Sequence, residues 1–323
     1  MKVFVTGACG YKGSVLVPKL IAAGHQVVAF DAQWFGNFLS ADSMLTVVRG
    51  DVRDTEAIDL TNVDAIIHLA SIANDPCGDL DPKLTWEVSC LATMQLAEKA
   101  VRAGVERFIY ASSGSVYGVK QEPQVTEDLE LLPISEYNKT KMCAERILLS
   151  YKDFMTVQIV RPATVCGFSP RMRLDVSVNM LTMQALTQGT ITVFGGDQTR
   201  PNIHIDDATD LYIFLLDHPE YAGVYNAGFE NISILDLAKK VTSYVKADIA
   251  TTPSVDPRSY RLNSDKLLAT GFRPKKGVDD AIKELTGLYR QGVLKADERW
   301  HNLKWMQSQA LAGRISQQAT GTL

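Results

Sequence analysis

Tyr137 and Lys141 are the pair of residues best suited to chemistry in this chain, because one helical turn separates a phenol from an ammonium group. Residues four apart share one face of a helix, so Lys141 is predicted to lie beside Tyr137. A phenol with a pKa of about 10 exchanges its proton poorly at neutral pH, and a neighbouring cation lowers that pKa. The spacing therefore predicts an acid–base tyrosine whose pKa is lowered by Lys141.

A glycine loop near the start of the chain predicts a nucleotide cofactor. Gly7-x-x-Gly10-x-x-Gly13 follows an apolar strand and opens a helix, where backbone amides and the helix dipole attract a pyrophosphate. Asp31 ends the next strand, 18 residues after Gly13, a spacing typical of an acid that accepts hydrogen bonds from the adenosine ribose. No arginine directly follows Asp31, so a 2′-phosphate would meet negative charge. The pattern predicts NAD rather than NADP.

The elements that must position these residues alternate between short apolar runs and helical patterns. Continuously apolar strands separated by helices predict an α/β fold, a Rossmann-type doubly wound parallel sheet with a smaller C-terminal substrate-binding domain. The predicted strands are Lys2–Thr6, Gln26–Phe30, Leu45–Val48, Ala65–Leu69, Arg107–Ala111 and Thr156–Val160. The predicted helices between them are Gly13–Ala23, Lys83–Ala103 and Glu136–Tyr151.

After Arg161-Pro162 the rhythm changes, and glycine-rich turns and prolines become frequent. We predict a NAD-binding domain from residues 1–167 and about 203–228, and a smaller substrate-binding domain, which covers the ligand edge of the sheet, from residues 168–202 and about 229–293. A helix at Asp206–His218 and a strand near Val224–Ala227 should return to the first domain. The other predicted helices are Val178–Gln188, Ile234–Val245 and Val278–Gln291. Residues 294–323 are expected to be a terminal extension, partly disordered or used in a subunit contact.

Charge and composition argue against several classes of protein. The 323 residues carry a formal net charge of −4 and the pI is near 5.8, so nothing favours nucleic acid or an anionic membrane as partner. No apolar run approaches the roughly 18 residues of a membrane helix, and a strand starting at Lys2 leaves no room for a signal peptide. A cytoplasmic protein is expected. The five scattered cysteines and five unclustered histidines predict neither a disulfide framework nor a metal site.

Taken together, these segments resemble the extended short-chain dehydrogenase/reductase superfamily, and within it the NAD-dependent epimerase/dehydratase family that acts on nucleotide sugars. The resemblance covers about residues 1–290. Besides the glycine loop, Asp31 and the Tyr137–Lys141 pair, it rests on residues 50–52, 68–71, 112–118, 161–167 and 200–207. It implies a homodimer formed through the helices predicted at Lys83–Ala103 and Glu136–Tyr151.

The resemblance also assigns site residues. It implies that Ser113 completes a catalytic set with Tyr137 and Lys141, its hydroxyl bridging Tyr137 and the reacting oxygen. The implied cofactor contacts are Gly7, Gly10, Tyr11, Lys12, Gly13, Asp31, Asp51, Val52, Leu69, Ala70, Ser71, Ser112, Tyr137, Lys141 and Pro162. Because a nucleotide-sugar diphosphate is an anion, guanidinium groups are expected to bind it. The substrate candidates are Ser113, Thr164, Arg171, Arg173, Arg200 and Arg258, with Arg261 as an alternative to Arg258.

Some positions depart from the family pattern or allow two interpretations. Sugar dehydratases of the family carry an acidic pair where this chain has Gly114 and Ser115, so 4,6-dehydration loses its proton donor. Thr164 and Ser89 stand where asparagines are usual, which leaves sugar recognition open. Asp51-Val52 is either part of the adenine site or an ordinary turn. Trp34 and Phe35 are expected to pack in the protein rather than stack on the base.

We therefore expect a NAD-dependent nucleotide-sugar epimerase that acts at C4 through a 4-keto intermediate. The alternative within enzymes is a net nucleotide-sugar 4-dehydrogenase or 4-keto reductase of a polysaccharide pathway, using the same three residues. A third hypothesis is a catalytically silent NAD-sensing or scaffold protein. The intact set of Ser113, Tyr137 and Lys141 argues against it.

Overall fold

Helices cover both faces of a parallel sheet. In the computed structural model, which describes residues 1–254 and 259–311, the strands are β1 (Lys2–Thr6), β2 (Gln26–Asp31), β3 (Leu45–Arg49), β4 (Ala65–His68), β5 (Arg107–Ala111), β6 (Thr156–Pro162), β7 (Thr164–Cys166), β8 (Thr190–Phe194), β9 (Thr199–His204), β10 (Gly223–Ala227), β11 (Glu230–Ser233) and β12 (Asp248–Thr252). The α-helices of the same residues are α1 (Gly13–Ala22), α2 (Asp75–Leu80), α3 (Pro82–Trp86), α4 (Ala92–Arg102), α5 (Glu136–Leu149), α6 (Ser177–Gln188), α7 (Ile205–Asp217), α8 (Ile234–Thr242), α9 (Asp265–Ala269), α10 (Val278–Arg290) and α11 (Asn302–Leu311).

The main sheet has seven strands in the order β10-β6-β5-β4-β1-β2-β3, and all of its pairs are parallel. The strand order reverses between β1 and β4. In doubly wound sheets, ligands bind at the carboxyl ends of the strands beside such a reversal. The predicted fold class is confirmed, and the six predicted strands end within two residues of the observed ones.

Alternation along β1 shows why both faces of the sheet are buried. Neighbouring residues of a strand point to opposite faces. Val5 packs in one apolar cluster with Leu16 of α1 and Leu211 of α7, whereas Phe4 packs in a second cluster with Leu96 of α4. A strand with apolar residues at every position therefore requires helices on both sides, as the sequence predicted.

The single helix predicted at Lys83–Ala103 is interrupted. After α3 the chain makes a π-helical turn over Glu87–Leu91 and continues as α4. Within this turn, Ser89 Oγ accepts a hydrogen bond from the Ile72 amide at 3.1 Å, and Thr93 Oγ1 donates to the Ser89 carbonyl at 3.0 Å. Such side-chain bonds to the backbone compete with regular helical pairing, and apolar periodicity does not register them.

The second half of the chain adds two smaller sheets. Strands β11, β9 and β7 form one sheet, and β12 pairs with β8 in the other. Helices α6, α8 and α10 surround a separate apolar core that includes Val178, Leu237 and Ile282. Strand β10 pairs with β6, and α7 packs against α1, so both segments return to the main sheet as expected. The residue boundaries of the two domains remain a prediction.

The part of the predicted terminal extension that the structure describes packs on the rest of the chain. Leu294, Trp300 and Met306 are all buried against other parts of the same chain, so residues 294–311 belong to the folded body. A sequence with two tryptophans but weak periodicity gave no sign of this packing. Residues 312–323 lie outside the described residues.

Membrane-spanning helices and metal-binding clusters were not expected from the sequence, and the structure describes residues 1–254 and 259–311 in enough detail to look for both. No helix there has both the length and the apolar content needed to cross a membrane. The same residues hold no group of three or more His, Cys, Asp or Glu side chains arranged to bind a metal ion. All five cysteines are free thiols, and four of them are buried.

Candidate active site

A cavity of about 650 Å³ lies along the carboxyl ends of the main-sheet strands. We call its two parts the strand-end wall, formed by the loops after β1–β6 with Tyr137 and Lys141, and the C-terminal wall, formed by residues from 163–177 with Arg200, Tyr260, Asn302 and Leu303. Among the predicted site residues within the described ranges, Arg261 does not line this cavity, whereas the others do: Gly7, Gly10, Tyr11, Lys12, Gly13, Asp31, Asp51, Val52, Leu69, Ala70, Ser71, Ser112, Ser113, Tyr137, Lys141, Pro162, Thr164, Arg171, Arg173 and Arg200. Arg258 falls outside the described residues.

The glycine loop brings the start of α1 against the ends of β1 and β4. Gly7 has a φ of +66°, and a Cβ atom there would lie 2.7 Å from the Ala70 amide nitrogen. A Cβ atom at Gly13 would lie 2.4 Å from the Ala8 carbonyl oxygen. Neither position has room for a side chain. Because Gly10 and Gly13 line the cavity, α1 begins at its wall, where a helix N-terminus attracts an anion.

Asp31 ties the glycine loop to the end of β2. Its Oδ2 accepts a hydrogen bond from the Cys9 amide at 2.9 Å, and its Oδ1 accepts one from the Gln33 amide at 2.6 Å. Burial raises the pKa of Asp31, while these two bonds and the charge of Arg171 oppose that rise. Each carboxylate oxygen has a second lone pair, so the side chain can still accept bonds from a ribose.

Asp51 lies in a turn that its own side chain helps to hold, and its place in an adenine site stays a prediction. Its carboxylate pairs with Arg53 of the same turn, with Arg53 Nη2 2.7 Å from Asp51 Oδ2. Asp51 and Val52 nevertheless both line the cavity. The carboxylate therefore stabilises the turn, and the turn presents these residues to the cavity.

Helix α5 places Tyr137 and Lys141 as their spacing predicted. Ser135 caps this helix, its Oγ accepting a hydrogen bond from the Asn138 amide at 3.2 Å. Lys141 Nζ lies 5.9 Å from the centre of the Tyr137 ring. The same Nζ donates to the Ala111 carbonyl at 2.7 Å, which anchors the lysine to the end of β5.

The predicted lowering of the Tyr137 pKa by Lys141 was wrong for this structure. Burial raises the pKa of Tyr137, while a hydrogen bond with Ser113 and the charge of Arg173 act in the opposite direction. The pKa of Lys141 is itself well below its usual value, because the lysine is buried and because Lys12 is close. A lysine that holds its proton weakly gives the phenol less help than the spacing suggests.

A short chain of hydrogen bonds holds Ser113 beside Tyr137. Ser113 Oγ and Ser115 Oγ share a hydrogen bond of 2.7 Å, and Ser115 Oγ donates to Asn138 Oδ1. Asn138 follows Tyr137 on α5 and is fully buried. These hydrogen bonds fix the Ser113 hydroxyl between the end of β5 and α5. Sequence reasoning did not identify Ser115 or Asn138 as supports.

Behind this set lies a buried ion pair that the sequence also did not reveal. Arg161 Nη2 lies 2.7 Å from Glu145 Oε2, and both side chains are almost completely buried. Ser112 Oγ donates to Glu145 Oε1, and Arg161 Nη1 donates to the Tyr117 hydroxyl at 2.6 Å. The pair joins α5 to β6 and to the segment that carries Ser113.

Three cationic side chains that line the cavity lie close to one another. Lys12 Nζ donates to the Tyr212 hydroxyl at 3.3 Å, and burial together with the charge of Arg173 lowers the pKa of Lys12 to about 8. Arg173 Nε lies 2.9 Å from Asp175 Oδ1. Burial lowers the pKa of Arg173, but Asp175 outweighs it and the pKa is raised. With Lys141, these cations suit an anionic ligand.

The C-terminal wall collects residues from distant segments. Thr164 begins β7, and Arg200 lies on β9. Tyr260 lies close to the Ser113 loop, since a Cβ atom at Gly114 would be 3.5 Å from the Tyr260 hydroxyl. Arg171 lies elsewhere, with its guanidinium carbon 3.8 Å from the centre of the Phe35 ring. Of the four predicted residues in this wall, Arg171 therefore lies against the loop that follows β2.

The cavity has further wall residues that sequence reasoning missed or interpreted differently. Trp34 and Phe35 pack against the apolar core as expected, but they also line the cavity. Their position three and four residues after Asp31 was an available signal. The other additions include Asn74, Asp75, Asp175, Tyr260, Asn302 and Leu303. No local motif marks these, because each reaches the cavity through the packing of its own segment.

Comparison with known proteins identifies the family. The model of the NAD dependent epimerase/dehydratase family matches residues 3–228. The chain belongs to this family. The resemblance drawn from the motifs is thereby confirmed, and so is NAD as the family's cofactor.

Relatives within the family include more than one activity. The chain is 28% identical to a UDP-glucose 4-epimerase of Lactobacillus helveticus over 87% of its own length and 95% of that protein. A crystal structure of Thermus thermophilus UDP-glucose 4-epimerase complexed with NAD matches 90% of this chain and 99% of its own, with a TM-score of 0.81 and 25% identity. The crystal structure of DesIV of Streptomyces venezuelae, a dTDP-glucose 4,6-dehydratase with NAD and TYD bound, matches 90% of this chain and 97% of its own. Its TM-score is also 0.81 and its identity 25%. These relatives support an enzyme of nucleotide-sugar chemistry.

The residues present fit NAD. A helix begins at the cavity wall, a carboxylate stands at the end of β2, and Lys12, Arg173 and Lys141 line the same cavity. Along the sheet, β2 and β3 are on one side of the reversal, and β5 and β6 are on the other. A dinucleotide across the reversal would place its adenosine half near Asp31 and its nicotinamide half near Tyr137 and Lys141.

Proposed function

We propose that this chain is a NAD-dependent nucleotide-sugar epimerase that acts at C4 through a 4-keto intermediate. The observation that carries the proposal is the meeting of Ser113, Tyr137 and Lys141 in one cavity whose wall also holds the glycine loop and Asp31. The similarity to a UDP-glucose 4-epimerase along most of the chain supports it.

Each catalytic residue has a defined task in this proposal. Bound NAD would supply the hydride acceptor and later the hydride that returns to C4. Tyr137 takes the proton of the C4 hydroxyl as the C4–H bond breaks, and it gives a proton back to the 4-keto oxygen after the sugar has turned. Ser113, hydrogen-bonded to Tyr137, holds the reacting oxygen. Lys141 binds the nicotinamide ribose, and the charge of Arg173 favours the deprotonated phenol.

Substrate recognition is assigned to the C-terminal wall. Arg173 and Arg200 would bind the diphosphate with charge-assisted hydrogen bonds, and Thr164 would contact the sugar. Gly114 and Ser115 leave the dehydratase position without a carboxyl group. The cavity does contain the carboxylate of Asp75, but Asp75 Oδ1 accepts a hydrogen bond from Ser135 Oγ at 2.6 Å at the start of α5. Asp75 is therefore given a positioning role, and epimerisation is favoured over dehydration.

The proposed enzyme would act as a cytoplasmic homodimer. Leu91 and Met94, on the π turn and the start of α4, expose 47% and 39% of their surface. Apolar side chains on neighbouring turns of one helical stretch favour a contact with another chain. A second copy would bury them by the helix pairing expected from the family.

The alternative is a net 4-dehydrogenase or 4-keto reductase, which uses the same three residues but must exchange its cofactor at each turnover. The decisive experiment incubates the purified protein with UDP-glucose, UDP-galactose and then a wider panel of nucleotide sugars in D2O, without added cofactor. We expect a pair of C4 epimers to interconvert with no deuterium at C4, because the hydride returns internally. Tyr137→Phe protein is the control.

Three other outcomes would change the assignment. Stoichiometric NADH formed from added NAD would indicate a dehydrogenase. Absolute dependence on NADH or NADPH would indicate a reductase. No turnover, together with no transfer of deuterium from a C4-labelled sugar to the cofactor, would indicate a silent binding protein.

A further inference from the structure

Residues 297–309, here called the strap, lie across one end of the cavity. Asn302 and Leu303 line the cavity together with Trp34, Phe35 and Arg171. Trp34 and Phe35 follow Asp31 by three and four residues, so the strap is at the end where the adenosine half is expected. Nothing in the family motifs of this chain extends to the strap, since the family model ends at residue 228.

Hydrogen bonds attach the strap to the segment before α6. The Leu174 amide donates to the Trp300 carbonyl at 2.7 Å, and the Asn302 amide donates to Asp175 Oδ2 at 3.2 Å. Arg171 Nη2 donates to Asn302 Oδ1 at 2.7 Å, and its guanidinium covers the Phe35 ring. The strap thus holds Arg171 against the loop that follows Asp31.

A second attachment joins the strap directly to that loop. Trp305 Nε1 donates to the Trp34 carbonyl at 2.8 Å, and the Trp300 and Phe38 rings have centres 5.4 Å apart. Met306 is 4% exposed and packs in the apolar cluster that also contacts Trp34 and Phe35. Two independent anchors, one on each segment, make the strap a fixed part of the cavity wall.

We propose that the strap is an additional part of the cofactor site, in which Leu303 and Asn302 contact the adenosine half of the dinucleotide and slow its release. The inference rests on the position proposed for that half beside Asp31. The charge of Arg171 fits this position, since it lowers the pKa of the buried Asp31, which burial itself raises. A cofactor leaving this end must displace Leu303 or loosen the Trp305–Trp34 contact.

Cofactor release measures this role without any sugar substrate. The test compares wild-type protein with Leu303→Ala and Trp305→Ala, using Gln307→Ala on the exposed side of the same helix as control. Dissociation rates of NAD are measured by stopped flow, and affinities for ADP and nicotinamide mononucleotide by calorimetry. Both strap variants should release NAD about tenfold faster and bind ADP about tenfold more weakly, the effect of losing about 1.4 kcal/mol. Gln307→Ala should match the wild type.

A bulky substitution tests the same position by adding volume instead of removing it. Leu303→Trp should obstruct ADP while leaving nicotinamide mononucleotide affinity unchanged and the protein folded by circular dichroism. Unchanged NAD release in both alanine variants would overturn the inference, as would an equal loss of affinity for both half-ligands. These readouts use no sugar, so failure of the C4 assignment would leave them standing, and their failure would leave the C4 assignment untouched.

Discussion

The two walls of the cavity are built in different ways. In the strand-end wall, the loop residues lie at or just after the end of a strand, as Asp31 is the last residue of β2 and Ser113 comes two positions after β5. In the C-terminal wall, residues meet across long sequence separations: Arg171 contacts Asn302, 131 positions later. The strap reaches further still, from Trp305 back to Trp34, which is 271 positions away.

The two ways of building a wall suit different roles in the site. Strand ends are fixed by the register of a buried sheet, which suits the cofactor loop and the acid–base set, whose geometry has to be exact to a fraction of an ångström. The C-terminal wall depends on how separate segments pack. Among relatives of one family it is therefore the natural place for differences in sugar and in cofactor retention.

The largest effect should come from the strand-end wall. Tyr137→Phe removes the proton carrier and leaves the shape of the site intact, so turnover should fall about 10²–10⁴-fold with little change in NAD affinity. The matched control is Tyr110→Phe, because the Tyr110 ring lies 4.8 Å from Lys141 Nζ but does not line the cavity. Steady-state kinetics and calorimetry measure both quantities. Near-normal turnover in Tyr137→Phe would move the chemistry to another group, with Tyr260 of the C-terminal wall the first to examine.

An intermediate effect should come from the support behind that wall. Glu145→Gln leaves the buried Arg161 without its counter-charge, so the free energy of unfolding should fall by about 3–5 kcal/mol. Glu98→Gln, in an exposed pair with Arg102, should change it by less than about 1 kcal/mol. Urea unfolding followed by circular dichroism tests both variants. Equal effects would mean that the buried pair does not fix the wall.

The smallest effect should come from a surface link between the two halves of the chain. Lys19 of α1 and Lys276 both pair with Asp206 at the start of α7. Burial raises the pKa of Asp206, but the hydrogen bonds and charges of the two lysines outweigh it and lower the pKa to about 2. A carboxylate with a lowered pKa stabilises the fold above its ordinary pKa of about 3.9, and that contribution disappears as the pH falls toward 2.

Asp206→Asn should therefore lower the free energy of unfolding by no more than about 1 kcal/mol at pH 7, because the pair is partly exposed. The difference in the free energy of unfolding between wild type and variant should shrink between pH 4 and 2, because the lowered pKa of Asp206 means that protonation removes its contribution in this range. Urea unfolding at pH 7, 4 and 3 measures this difference in free energy. At pH 7, 1 M salt should reduce the difference, because salt screens the ion pairs. A difference that grows with acidity would contradict the assignment.

Much of the fold was predictable because its signals are local. Continuous apolar strands and helical spacing indicated the parallel sheet, and the strands ended close to their predicted positions. The π turn at Glu87–Leu91 escaped prediction because it is associated with hydrogen bonds between Ser89 and residues outside the helix. Burial set the Tyr137 pKa, and a four-residue spacing carries no information about burial.

What the sequence by itself determined is the strand-end wall. In a parallel sheet the carboxyl ends of all strands lie at one edge, so a glycine loop, an acid and a serine that each lie at or just after the end of a strand must meet there. Tertiary structure alone decided which arginine lies beside Tyr137, which one lies on Phe35, and that Asn302 and Leu303 reach the cavity. These placements depend on packing between segments far apart in the chain, and no local pattern of residue types encodes that packing.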